Sequence, residues 1–137
     1  MEQVSREFPS DPRQLAAMRG LVRDTCLRVW DPRETDSQKI AQLELAVTEA
    51  AANVILHAYA GQEGQTLELT VGADADGVCV TLYHRGEPFD PEAVRPPSFD
   101  GSRESGFGLY IIRLAVDEVT YFEDDRGRRA VRLVKKR

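Results

Sequence analysis

The chain lacks most of what would place it outside the ordinary globular class. Among 137 residues it has two cysteines, Cys26 and Cys79, far apart and without metal-ligand spacing, so neither a disulfide scaffold nor a zinc site is expected. No apolar run approaches the roughly 20 residues that a bilayer span requires. The opening MEQVSREFPSDPRQ contains no hydrophobic signal-peptide core. Basic charge is in deficit, with 18 Lys and Arg against 23 Asp and Glu for a net charge of −5, which argues against direct nucleic-acid binding. No internal repeat or low-complexity tract interrupts the chain. The expectation is a cytoplasmic protein with no membrane contact, built as one domain over residues 1–137, with both thiols reduced in its core.

What is present reads as alternating helix and strand signals. Residues 1–10 suggest an edge strand ending at Pro9. Asp11 before Pro12 is a helix start, a capping carboxylate followed by a proline in the first turn. Leu15, Met18, Leu21, Val22, Thr25, Cys26 and Val29 then recur at helical spacing, and Trp30-Asp-Pro32 closes that helix. A second helix is expected from Asp36 or Ser37 to about Ala58, on a stripe of Ile40, Leu43, Val47, Ala50 and Val54. Thr66–Val71 and Val78–His84 read as a hairpin across a Gly- and Asp-rich turn, with Val78, Val80, Leu82 and His84 on one face. Residues 85–105 carry four of the seven prolines and break every period, as a long functional loop would. A glycine-led turn opens a helix over Leu109–Val116, and strands near Val119–Phe122 and Ala130–Val134 flank a turn at Asp124–Gly127. Segregated strands and helices predict an α+β two-layer sandwich, with a mixed, mostly antiparallel sheet and its helices on one face.

Three features carry chemistry. Glu49 and Asn53 stand four apart and so share a helix face, set among Ala46, Ala50, Ala51 and Ala52. The pair supplies one possible base and one neutral oxygen suited to a hard cation such as Mg²⁺; it also reads as an exposed polar pair on an alanine-rich helix. Gly106-Phe-Gly108 precedes a helix, whose first N–H groups and positive dipole end favour phosphate, though a plain loop-to-helix turn looks the same. His57 lies one turn beyond Asn53 and is expected to cap helix-end carbonyls. The basic C-terminal run from Arg126 to Arg137 is expected to form a solvated edge strand protected from aggregation by its charge.

Taken in order, Glu49-Ala-Ala-Ala-Asn53, His84-Arg-Gly86, Pro88-Phe-Asp-Pro91, Gly106-Phe-Gly108-Leu109 and Asp117-Glu-Val-Thr-Tyr121 resemble the GHKL ATPase superfamily. Within it the chain is most similar to the anti-sigma-factor serine/threonine kinases of the RsbW and SpoIIAB type, and the resemblance covers nearly the whole length. It implies the Bergerat ATPase fold, ATP and Mg²⁺ as cofactors, and a lid over about residues 90–105. By position, Asn53 would hold Mg²⁺ and Glu49 would be the catalytic general base. Gly106, Phe107, Gly108 and Leu109 would close over the phosphates, with Gly86 beside the adenine. The partners implied are a STAS-domain anti-anti-sigma protein, which receives the phosphoryl group on a serine or threonine, and a sigma factor; a homodimer is also implied. Sensor histidine kinases fit less well, because the first helix contains no phospho-accepting histidine.

One position departs from the pattern. The family's adenine-recognising aspartate belongs two residues before Gly86, where this chain has His84. A neutral imidazole offers one acceptor and one donor, whereas a carboxylate only accepts. Loss of a charge-assisted hydrogen bond costs roughly 1.5–3 kcal/mol, about 10–150-fold in affinity. The alternative function is therefore a degenerate GHKL-fold module that sequesters a sigma factor or regulator without efficient ATP use.

Overall fold

The computed structural model describes residues 2–86 and 107–137. In chain order these form β1 (Glu2–Pro9), a 3-10 turn (Pro12–Gln14), α1 (Leu15–Val29) and α2 (Ser37–Asn53), which continues into a π-helical turn (Val54–Ala58). The hairpin β2 (Thr66–Ala73) and β3 (Gly77–His84) follows, then α3 (Phe107–Ala115), β4 (Glu118–Glu123) and β5 (Arg129–Lys136). One sheet runs β1-β2-β3-β5-β4, and every described pairing in it is antiparallel. The helices pack on one face, which makes the two-layer α+β sandwich expected from the sequence.

The local signals act largely as read. Asp11 accepts from the Arg13 N–H at 2.9 Å, but it caps the short 3-10 turn that leads into α1 rather than α1 itself. Asp36 caps α2 by accepting from the Gln38 N–H at 2.9 Å. The Asp74 carboxylate receives the N–H groups of Asp76 and Gly77 and so shapes the β2–β3 turn. Trp30 is buried at the end of α1 and donates its indole N–H to the Asp74 carbonyl at 2.8 Å, tying the helix to that turn. Met18, Val22 and Cys26 of α1 join Leu43, Val47 and Ala50 of α2 over the inward residues of the sheet, among them Leu69, Val80, Leu82 and Leu133. Alternation therefore sends each strand's apolar set to the helix side.

Three elements differ from the sequence reading. α2 does not stay α-helical to Ala58. At its end the buried positions Ala51, Ile55 and Tyr59 are spaced by four. Such steps suit a turn wider than 3.6 residues, and the Tyr59 N–H accordingly reaches the Val54 carbonyl, five residues back, at 2.8 Å. β5 is not an edge strand: it lies between β3 and β4, so edge protection is not the work of its cations. Lys135, for example, donates to Gln42 and to the Ala115 carbonyl. Cys26 is buried as expected, whereas Cys79 is half-buried on the outward face of β3.

Candidate nucleotide site

α2 and α3 pack side by side, and the contact is made through a glycine. A methyl group placed on Gly108 would stand 3.2 Å from Glu49 Oε2 and 3.5 Å from Asn53 Oδ1. A residue without a side chain lets the first turn of α3 lie this close without displacing either polar group. Glu49 and Asn53 are each half-buried, one helical turn apart, and their oxygens converge on the end of α3 where unpaired N–H groups collect. Leu109 turns a buried side chain inward and so anchors that turn. Of Phe107 only the backbone is described, as the first residue of α3. Gly106 and the expected lid, residues 90–105, lie outside the described residues.

Beside this contact is a cavity of about 420 Å³, within the usual range for small-molecule sites. Ala50, Asn53, Val54 and Ala58 form its helical wall, and His84, Tyr121, Arg129 and Val131 its sheet wall. Asn53 belongs both to the cavity and to the Gly108 contact, so it joins the two. The walls are mostly small and apolar, as suits a flat ring with a few polar groups at its edge.

His84 sits at the end of β3 and is buried. Its Nδ1 accepts the Gly86 N–H at 3.2 Å, which assigns the ring proton to Nε2 in the neutral form. Burial, reinforced by the neighbouring Arg129 guanidinium, pushes its pKa down to about 4, so the imidazole is neutral near pH 7. Tyr59 meets it edge-on, with ring centroids 5.9 Å apart. The Tyr59 hydroxyl donates to the Thr66 carbonyl at 2.7 Å and accepts the Arg85 N–H at 2.8 Å, which fixes the π turn against the ends of two strands. Gly86 is required here for close packing: a Cβ on it would come within 2.5 Å of the Ala58 carbonyl oxygen. Tyr121 is also shielded, and burial raises its phenol to about 12 despite the opposing Arg113.

The sequence reading missed Tyr59, Tyr121, Glu123 and Arg129. Arg129 was the most accessible of these, since strand alternation from Val131 and Leu133 puts it on the inward face. His57 corrects an expectation, because it is exposed, lines the cavity mouth and makes no hydrogen bond among the described residues.

Residues 8–135 match the family described as the histidine kinase-like ATPase domain. The serine-protein kinase RsbW of Oceanobacillus iheyensis is 27% identical over 124 residues, covering 85% of this chain and 76% of that protein. RsbW of Halalkalibacterium halodurans is 32% identical over 113 residues, covering 77% and 68%. Among solved structures, the RsbU and RsbW domains of a Mycobacterium tuberculosis protein superpose with a TM-score of 0.67 at 16% identity. That match covers 100% of this chain but 33% of the other, so it speaks for the fold alone. With a family match over nearly its whole length, the chain belongs to the histidine kinase-like ATPase domain family, on the branch of the RsbW-type serine-protein kinases.

Proposed function

We propose that this protein is an ATP-dependent protein serine/threonine kinase that phosphorylates a STAS-domain anti-anti-sigma protein and, in the other arm of a partner switch, holds a sigma factor. The observation that carries the reading is the convergence of Glu49 and Asn53 on Gly108 beside an apolar cavity. Phosphoryl transfer is largely positioning and charge neutralisation, so a base, an oxygen ligand and backbone donors are a sufficient set. Glu49 Oε2 takes the proton from the acceptor hydroxyl. The Asn53 side-chain oxygen is a neutral hard donor of the kind Mg²⁺ accepts, and its closeness to Gly108 at the start of α3 supports the metal-holding role. An ion held there would supply positive charge to offset that of the phosphates. The N–H groups of Gly108 and Leu109 hold the phosphates from the helix end.

The same reading has the protein acting in the cytoplasm as a homodimer, on one domain over 1–137 with its lid near 90–105. A second reading rests on one observation, the buried neutral His84 where a carboxylate is expected. In it, the fold sequesters a sigma factor or regulator without efficient ATP use. Calorimetric titration with ATP, with and without Mg²⁺, separates the two. Saturable Mg²⁺-dependent binding, with phosphotransfer to a STAS partner that Glu49→Ala abolishes while partner binding persists, is the expected result. No saturation at millimolar nucleotide overturns the kinase reading and leaves the module.

A further inference from the structure

The sheet wall of the cavity ends in a single rung of three side chains. His84 on β3 is the register partner of Arg129 on β5, and Arg129 is in turn the partner of Glu123 on β4. All three line the cavity. Adjacent strands lie roughly 4.8 Å apart, so the rung runs as a short row of polar groups along one side of the pocket.

The hydrogen-bonding sense of that row is mostly donating. The one acceptor of the neutral His84 ring, Nδ1, is taken by the Gly86 N–H, which leaves the Nε2 proton as what the ring offers a ligand. Arg129 pairs with Glu123 through Nη1, while its Nε is buried and finds no acceptor among the described residues. The Nε itself is closed off from the cavity, so what Arg129 offers a ligand is the Nη N–H groups of its one-third-exposed guanidinium. Glu123 supplies the acceptor at the other end of the row, with its carboxylate held by Arg129 and still more than half exposed.

Adenine and guanine differ at this edge. Adenine presents its 6-amino group, a donor, where guanine presents the O6 acceptor. Guanine also has an N1–H and a 2-amino group, both donors, on the same side. Against His84 and Arg129 the 6-amino group of adenine meets further donors. The O6 of a 6-oxopurine can accept from both, and its neighbouring N–H groups face the Glu123 carboxylate. We propose that the His84–Arg129–Glu123 rung sets the base selectivity of this pocket, and that the site accepts a 6-oxopurine nucleoside triphosphate at least as well as ATP. The inference rests on the cavity being a nucleotide site, as the proposed kinase reading holds.

The test is calorimetric titration of the full chain with Mg-GTP and, separately, Mg-ATP. The expected result is a Kd for GTP no more than about threefold above that for ATP, or below it. His84→Asp restores an acceptor at the rung and is expected to move the GTP-to-ATP affinity ratio at least about tenfold toward ATP. Arg129→Met removes the guanidinium donors and is expected to weaken GTP at least about tenfold while changing ATP by less than about threefold. Should either variant fail to fold, which a thermal melt reports, the wild-type ratio alone decides. A GTP Kd more than about threefold above that of ATP overturns the base inference and leaves the kinase reading intact. Absence of saturation by either nucleotide overturns both.

Discussion

At the scale of single residues, Gly108 separates stability from activity. It lies in the first turn of α3, where alanine is favoured over glycine by up to about 1 kcal/mol. The methyl group of Gly108→Ala would press on the mobile end of Glu49 rather than on backbone. The expected outcome is a melting temperature unchanged or raised, with phosphotransfer reduced at least about tenfold because the carboxylate is displaced. Full activity in that variant would remove Glu49 from the reacting centre. His84 gives a pH prediction. Its folded pKa, about 4, lies below the ordinary 6.5, so between those values the unfolded chain takes up a proton that the folded chain refuses. Stability is therefore undiminished above pH 6.5 and falls as the pH drops toward 4, by at most about 3 kcal/mol from this group. Urea midpoints for the wild type and His84→Asn between pH 7.5 and 4.5 should diverge accordingly, with the wild type losing more. Parallel curves would mean that His84 is charged within the fold.

At the scale of elements, Gly86 is fixed by backbone rather than by a side chain. Its added Cβ would lie 2.5 Å from the Ala58 oxygen and 2.7 Å from the Ala58 carbonyl carbon. Neither atom can yield without moving the π turn, so Gly86→Ala is expected to lower unfolding free energy by about 1–3 kcal/mol in urea denaturation. A neutral result would show that turn to be pliable.

The elements were legible in the sequence wherever one local rule decided them: the caps at Asp11 and Asp36, the α2 stripe, and the alternation along β3 that buries His84 with Val78, Val80 and Leu82. The convergence of Glu49, Asn53 and Gly108 was reached by matching short motifs, since the spacing of Glu49 and Asn53 alone equally fits an exposed pair. What could not be read depends on strand order. Nothing local in Arg129–Lys136 says that it is a central strand, and without that placement neither Arg129 nor Glu123 can be put beside His84. The π turn was hidden for a related reason, because its wider winding is held by the Tyr59 hydroxyl, which reaches two strands remote from α2.

At the scale of the whole molecule, the candidate site is gathered at one corner. The ends of β3, β5 and β4, the π turn and the first turn of α3 meet there. The opposite face of the sheet is organised differently. Tyr83 and Phe122 meet edge-on, with Arg128 stacked over the first ring and Arg132 over the second. The Arg128 side chain also reaches Asp124 and Glu68, linking the β4–β5 turn to β2. The cations that looked like a solvated fringe in the sequence thus stitch strands together across that surface.

The register of β1 bears on the order of assembly. Glu2 meets Ala73 and Pro9 meets Thr66, so this strand joins β2 only after both long helices have passed between them. β2 and β3, by contrast, are neighbours in sequence across one tight turn. Closing the longer circuit costs more chain entropy before any contact is gained, which delays it. In pulse-labelling hydrogen exchange during refolding, the hairpin amides should gain protection before those of β1, and simultaneous protection would contradict this. A late-arriving N-terminal strand leaves the flank of β2 briefly open, a kinetic window in which a second molecule can pair with it before its own chain does.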